Sequence, residues 1–254
     1  MGLRQSLRQG MRRRGFDLTR WPRQGTLERA LRDVLKARAI DTILDVGAHV
    51  GAYGRLLRSL GFKGRIDSFE PDPATFQVLT REAMDPSWRC YATALGAVAG
   101  VEALTRYENT QLSSLHAPTP WAAQEWGLAS GRRFDVPVST VDAFIDEQGL
   151  DPGATLLKID TQGHDSAVLE GARSSLPHLA ALQIEMPMVA LYERVPAFTD
   201  LLEGILASGL LLVGLFPVQR DPAEHLVPVE YDGLFVRSDL PANRRSAPPD
   251  EHRP

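Results

Sequence analysis

The chain has 254 residues, of which 43% are hydrophobic, and its formal net charge is −4. These values allow one well-buried domain and give no general electrostatic reason to expect nucleic-acid binding. The single cysteine, Cys90, excludes an internal disulfide and indicates a reducing, cytoplasmic location.

Residues 1–40 are predicted to form a basic, helical extension. Seven arginines and one aspartate stand among the first 23 residues. Their charge suits peripheral contact with an anionic membrane, and the alternatives are a solvated helix or an unfolded arm. No membrane span is predicted, because the longest nearly apolar run, 205–216, is shorter than the roughly 20 residues that a spanning helix needs.

From residue 41 to residue 240, short apolar runs alternate with stretches of helical period. Strands are predicted at 42–46, 65–69, 88–94, 101–107, 134–138, 155–159, 181–185, 210–216 and 233–236, and helices at 52–60, 74–84, 141–147, 164–174 and 197–208. The alternation predicts an α/β domain with a mostly parallel sheet between helices. The irregular segment 109–133 indicates a lid or a binding loop, or else a flexible insertion. The proline-rich tail, 241–254, is expected to be disordered.

The loop after the first predicted strand is the first candidate binding site. Ligands of open parallel sheets bind beyond the carboxyl ends of the strands, where this loop lies. Gly47 and Gly51 allow a sharp turn and a close approach of ligand to backbone, and the next helix presents free N–H groups. Their spacing, with His49 between them, is looser than the dinucleotide fingerprint. It favours a ligand without a phosphate at this point, such as the amino-acid end of S-adenosylmethionine.

The second predicted strand ends in the sequence SFEPDP, which contains Glu70. A carboxylate there can accept hydrogen bonds from both hydroxyls of an unphosphorylated ribose. Glu70 therefore disfavours NADP and leaves NAD and S-adenosylmethionine open. The alternative is a role in the turn that Pro71 and Pro73 introduce.

A polar cluster follows the strand at 155–159, in the sequence LLKIDTQGHDSAVLEGA. Asp160, Gln162, His164 and Asp165 are expected at the same edge of the sheet as the glycine loop. Helix capping explains one such residue and not the whole group. A hard metal ion held by Asp160, His164 and Glu185 is an alternative, but no tight ligand spacing requires it, and no metal is predicted.

Six sequence blocks together resemble the FkbM-type family of S-adenosylmethionine-dependent methyltransferases. They are ILDVGAHVGAYG, SFEPDP, VSTVDAF, LLKIDTQGHDSAVLEGA, LQIEMP and YDGLFVR, and they span about residues 40–237. The resemblance implies a Rossmann-like class I methyltransferase fold, with a seven-stranded, mostly parallel sheet whose last strand is antiparallel. It also implies methyl transfer from S-adenosylmethionine to a hydroxyl of a sugar, a glycan or a natural product.

The resemblance extends to single positions. It implies that Ala94 and Leu95 enclose the adenine and that Asp160 is the acid after the fourth core strand. The predicted cofactor-binding residues are Asp45, Gly47, His49, Gly51, Glu70, Pro71, Ala94, Leu95 and Asp160. Two departures are His49, where asparagine is more usual, and Gln162, where glutamate is common.

An alcohol is a poor nucleophile, so a nearby base is expected. His164 is the first candidate, because an imidazole titrates near neutral pH, and Asp160 is the second. The acceptor is predicted to be a small molecule or glycan and not a nucleic acid. An NAD-dependent oxidoreductase and a non-catalytic cofactor-binding module are the alternatives, and the sequence leaves the oligomeric state open.

Overall fold

The structure, a computed structural model, describes residues 25–220 and 226–238. The N-terminal arginines and the tail 241–254, on which the predictions of membrane contact and disorder depend, lie outside the described residues. Within the described ranges, no helix is both long and apolar enough to cross a membrane.

Seven helices and ten strands are present in the described part of the chain. The helices are α1 (Leu27–Ala37), α2 (Ala52–Ser59), α3 (Pro73–Glu82), α4 (Pro120–Glu125), α5 (Val141–Gln148), α6 (Asp165–Glu170) and α7 (Phe198–Ala207). The first five strands are β1 (Thr42–Val46), β2 (Arg65–Phe69), β3 (Trp88–Tyr91), β4 (Ala94–Leu95) and β5 (Gly100–Arg106). The others are β6 (Arg132–Ser139), β7 (Thr155–Ile159), β8 (Ala181–Pro187), β9 (Leu210–Arg220) and β10 (Pro228–Arg237).

The main sheet has seven strands in the order β3-β2-β1-β7-β8-β10-β9. The five strands from β3 to β8 are mutually parallel, and β10 is antiparallel to both of its neighbours. The strand order reverses between β1 and β7, which is the point where an open α/β sheet forms a binding crevice. The predicted Rossmann-like sheet with an antiparallel last strand is confirmed.

Helices cover both faces of this sheet. One hydrophobic cluster joins α1, α2 and α3 to the sheet through Leu31, Leu57 and Leu79, and a second joins α5, α6 and α7 through Phe144, Val168 and Ile205. Successive residues of β1 belong to opposite clusters, as the two-residue period of a strand between two helical layers requires. At the carboxyl ends of the strands, the same alternation places polar side chains on the face of the sheet that α1–α3 cover.

Two of the differences from the sequence prediction concern the pairing of strands and the length of a helix. The strands predicted at 101–107 and 134–138 pair with each other, and β4 joins them in a separate three-stranded sheet. The helix predicted at 164–174 ends at Glu170, because the following residues bind α5 instead. Gly171 O accepts a hydrogen bond from the Asp142 N–H, and the Asp142 carboxylate accepts bonds from the backbone N–H groups of Ser174 and Ser175.

Candidate active site

A cavity of about 520 Å³ opens at the carboxyl edge of the main sheet, within the volume range of small-molecule sites. Its walls come from the glycine loop, from the ends of β2, β7, β8 and β10, and from the segment 109–115. Eight predicted site residues line it: Gly47, His49, Glu70, Pro71, Ala94, Leu95, Asp160 and His164. Asp45 and Gly51 lie behind its wall.

The two glycines of the loop after β1 are required by close contacts. Gly47 has a φ of +76°, and a Cβ at this position would overlap the backbone carbonyl of Asp160. Gly51 has a φ of +78°, and its Cβ would lie 2.9 Å from Leu79 Cδ1 and 3.2 Å from Trp88 Cζ2. Gly47 therefore keeps the loop against the end of β7, and Gly51 fits the start of α2 against α3 and β3.

Glu70 is held at the end of β2 by two backbone donors. Its Oε2 accepts a hydrogen bond from the His49 N–H at 2.9 Å, and its Oε1 accepts one from the Asp72 N–H at 2.8 Å. Each oxygen keeps a second lone pair, which a ribose hydroxyl can use. The side chain is 7% exposed, and burial raises its pKa to about 7, against the opposing effect of the His49 hydrogen bond.

Lys158 is a central site residue that the sequence prediction did not assign. Its Nζ donates to Gly47 O at 2.9 Å and lies 3.2 Å from Asp45 Oδ1 and 3.5 Å from Asp160 Oδ2. Burial alone would lower the pKa of Lys158, but Asp45 and Asp160 outweigh that effect and raise it. Asp45, with no exposed surface, is thus the counter-ion of Lys158 beneath the glycine loop, where it also accepts a hydrogen bond from Ser68 Oγ. A lysine inside a buried strand was the only sequence signal of this role.

The far half of the cavity is lined by carboxyl groups of β8 and β10. Burial raises the pKa of Glu185 well above its ordinary value and that of Glu230 to about 7, and the nearby Asp160 contributes to both shifts. Asp232 accepts a hydrogen bond from Gln183 Nε2 at 3.1 Å, and burial raises its pKa to about 6. Within the described ranges, Lys158 is the only lysine or arginine that lines the cavity.

His164 lies at the start of α6, where it is 4% exposed. Its Nδ1 is 3.1 Å from His116 Nε2, and its Nε2 is buried, has no hydrogen-bond partner and faces Gly96. Burial, assisted by His116, lowers the pKa of His164 to about 4. This pKa lies below the neutral range on which the choice of His164 as a base depends, and its catalytic role stays a prediction.

The carboxylate of Asp160 is more accessible than the imidazole of His164. The Asp160 side chain is 40% exposed and lines the cavity at the end of β7. Its Oδ1 accepts a hydrogen bond from Gln162 Nε2 at 3.1 Å, and its Oδ2 is near Lys158. An oriented carboxylate that reaches a cavity is suited to accept a proton from a hydroxyl.

The segment 109–116 forms the outer wall of the cavity. Thr110 Oγ1 is 2.8 Å from His49 Nε2, and Ser114 Oγ donates to Gln162 O at 2.6 Å. Tyr192 OH donates to Leu112 O at 2.7 Å. This part of the predicted irregular segment is therefore tied to the cavity by contacts with three separate parts of the chain, as a binding loop would be.

Strand order, the glycine loop and the acid at the end of β2 define this protein as an S-adenosylmethionine-dependent methyltransferase of the Rossmann-like class. The sequence profile of the methyltransferase FkbM domain matches residues 45–209. The chain belongs to the FkbM methyltransferase family. The alternative of an NAD-dependent oxidoreductase is therefore not supported.

Several solved structures are similar to this chain at low sequence identity. An rRNA methylase from Streptococcus thermophilus is 10% identical with a TM-score of 0.43, over 82% of this chain and 93% of that one. A TehB-like S-adenosylmethionine-dependent methyltransferase from Corynebacterium glutamicum is 14% identical with a TM-score of 0.38, over 93% and 100%. A proposed caffeoyl-CoA O-methyltransferase from Staphylococcus aureus is 9% identical with a TM-score of 0.48, over 94% and 93%. No curated protein matches the chain.

Proposed function

We propose that this protein transfers a methyl group from S-adenosylmethionine to an uncharged hydroxyl of a sugar, a glycan or another natural product. The observation that carries the proposal is one cavity with two chemically different halves. The half at Gly47 and Glu70 offers backbone and a ribose acceptor, whereas the half at Asp160, Glu185 and Glu230 offers carboxyl groups. Carboxyl groups accept hydrogen bonds from hydroxyls and repel phosphates.

The residues present fit the cofactor. The glycine loop lines the cavity at Gly47, Glu70 supplies the ribose acceptor, and Ala94 and Leu95 supply an apolar wall beside Phe69 for a purine. When bound, S-adenosylmethionine supplies a methyl group on a sulfonium, which an oxygen nucleophile takes by in-line displacement.

The protein's own residues then have three tasks. Asp160 holds the acceptor hydroxyl by a hydrogen bond and takes its proton as the oxygen becomes nucleophilic. Lys158 keeps Asp160 and the Gly47 carbonyl in place. The segment 109–116 narrows the cavity and limits the access of water, which favours the intended acceptor over hydrolysis. His164 remains a second candidate base, although its Nε2 is buried and its Nδ1 lies 3.1 Å from His116 Nε2.

A nucleic-acid acceptor is disfavoured by charge. The acceptor half of the cavity carries Asp160, Glu185, Glu230 and Asp232, and its one cation, Lys158, is already paired with Asp45 and Asp160. A phosphate backbone is normally bound by unpaired arginine and lysine side chains. Those are missing from the described lining of the cavity.

Calorimetry with S-adenosylmethionine and S-adenosylhomocysteine tests the cofactor part. Both ligands are expected to bind the wild type, and Glu70→Gln is expected to weaken binding by about tenfold, which corresponds to about 1.4 kcal/mol. Glu147→Gln, which removes an exposed carboxylate from α5, is the matched control. No heat with either ligand, or no effect of Glu70→Gln, would contradict the proposed cofactor site.

Mass spectrometry of a panel of neutral sugars, amino sugars, uronic acids, polyketide alcohols and transfer RNA tests the acceptor. A gain of one methyl group on a neutral hydroxyl compound is expected, with a rate at least about a hundredfold lower in Asp160→Asn. Methylated RNA, or full turnover by Asp160→Asn, would overturn the acceptor proposal. Cofactor binding with no product in any arm would favour the non-catalytic module.

A further inference from the structure

Gln162 joins two carboxylates that come from different strands. Its Nε2 donates to Asp160 Oδ1 at 3.1 Å and to Glu185 Oε2 at 3.0 Å. A side-chain amide nitrogen has two hydrogens, so these two bonds use both of them. Two such bonds from one nitrogen place the carboxylate oxygens roughly 5 Å apart. The amide is therefore the bridge between the end of β7 and the end of β8.

The backbone of Gln162 indicates that its side chain is needed there. Its φ is +54°, in the left-handed region that disfavours a side chain, and Gly163 follows with a φ of +93°. A glycine would occupy position 162 with less strain. Strained residues that line a cavity are candidates for a functional role, and Gln162 does line this cavity.

The same residue also connects the outer wall to the carboxylates. Its carbonyl oxygen accepts a hydrogen bond from Ser114 Oγ at 2.6 Å, so the segment 109–116 is attached to the residue that bridges Asp160 and Glu185. A shift of position 162 would therefore move both carboxylates and this wall together. The arrangement links the geometry of the acceptor half to a single side chain.

Two neighbouring carboxyl groups that line one cavity are both ionised only when something positive lies between them. Otherwise one of them keeps its proton, as the raised pKa of Glu185 indicates. Divalent metal ions commonly take that place, with carboxylate oxygens as ligands. Here an uncharged amide takes it, because its hydrogens carry the positive ends of two N–H dipoles. An amide can fix the direction of both carboxylates, but it cannot act as a Lewis acid.

We propose that Gln162 is a positioning residue that takes the place of a bridging divalent cation between Asp160 and Glu185. It holds these two carboxylates in the direction in which they receive the acceptor, and it makes the acceptor half of the site independent of a metal ion. The part that concerns the acceptor rests on the proposed function, whereas the bridge itself can be tested without any acceptor.

The first test measures Mn²⁺ binding to Gln162→Glu at about pH 8. Binding is measured by calorimetry and by the electron paramagnetic resonance signal of free Mn²⁺. Replacing the amide by a carboxylate places three carboxylates together, so the variant is expected to bind one Mn²⁺ at least roughly tenfold more tightly than the wild type. Gln111→Glu, which adds a carboxylate elsewhere in the cavity lining, is the matched control and is expected to resemble the wild type.

Either of two results would overturn the proposal. In the first, the wild type binds Mn²⁺ as tightly as Gln162→Glu, so the amide does not stand in for a cation. Alternatively, the folded variant shows no gain in affinity, in which case the two carboxylates are not held together at position 162. Adding Glu185→Gln to Gln162→Glu is expected to abolish the gain, which assigns the ion to this site.

Gln162→Met covers the case in which Gln162→Glu does not fold, because it keeps the length of the side chain without its hydrogen bonds. With an acceptor found in the panel above, its KM for the acceptor is expected to rise at least roughly tenfold, while the dissociation constant of S-adenosylhomocysteine stays within about twofold. An unchanged KM for the acceptor contradicts the proposal. Loss of S-adenosylhomocysteine binding by the wild type would instead contradict the proposed function, so the two failures are distinguishable.

Discussion

The contact between Gly47 and the end of β7 gives the sharpest prediction about stability. In Gly47→Ala, the new Cβ would lie 2.8 Å from the carbonyl carbon of Asp160 and closer still to its oxygen. Ordinary carbon contacts begin near 3.5 Å, so the loop and β7 must separate by about 1 Å. That movement stretches the 2.9 Å bond from Lys158 Nζ to Gly47 O, which is a hydrogen bond to a charged group.

The magnitude follows from two costs. An alanine at a φ of +76° costs about 1 kcal/mol, and a weakened charged hydrogen bond costs about 2 kcal/mol more. Gly47→Ala should therefore lose about 3 kcal/mol of unfolding free energy in urea titrations. It should also bind S-adenosylhomocysteine at least about tenfold more weakly in calorimetry.

Two other glycines separate these costs. Gly61 has a φ of +90° with open space where a Cβ would lie, and Gly100 has open space without a positive φ. Gly61→Ala should lose about 1 kcal/mol and Gly100→Ala almost nothing, and neither should change cofactor affinity. If Gly47→Ala and Gly61→Ala lose equal stability and both bind S-adenosylhomocysteine like the wild type, the close-contact reasoning is refuted.

Three further predictions concern the charges and the outer wall of the site. Burial raises the folded pKa of Glu70 from 4.5 to about 7, so its stabilising contribution is complete below pH 4.5 and is lost as the pH rises through about 7. As the pH rises from about 5 to about 8, the unfolding free energy of Glu70→Gln should therefore fall less than that of the wild type. The difference should reach up to about 3 kcal/mol in urea titrations. Lys158→Met should cost about 3–5 kcal/mol by urea unfolding, because Asp45 stays buried without a counter-ion, and Asp45→Asn in the same chain should restore most of it. Thr110→Val should weaken S-adenosylhomocysteine binding about threefold at an unchanged melting temperature, because it removes the 2.8 Å contact with His49.

Each of these has a contrary outcome. If the unfolding free energies of the wild type and Glu70→Gln depend equally on pH, the Glu70 carboxyl group does not take up the extra proton in the folded state. If the variant that combines Lys158→Met with Asp45→Asn is no more stable than Lys158→Met alone, the explanation by the Lys158–Asp45 ion pair is contradicted. A lower melting temperature in Thr110→Val without a change in affinity would give that contact a structural role only.

The order of strands and helices could be predicted from the sequence because local patterns carry it. Short, mostly apolar runs such as 42–46 and 155–159 are typical of strands buried on both faces, and prolines and acids mark the turns between them. Glycine spacing and the position of Glu70 were also readable, since backbone freedom and a strand-end carboxylate are local properties. The length of α6 was not, because the hydrogen bonds that end it come from Asp142 in another helix.

The α/β fold, the family and eight of the residues that line the cavity could be inferred from the sequence. How those residues act on one another depends on the folded chain. Burial removed His164 from the neutral titration range, parallel register brought Lys158 against Asp45, and chain folding placed Gln162 between two carboxylates. These outcomes depend on neighbours distant in the chain, since pKa values and hydrogen-bond partners are set by surroundings in space rather than by residue type.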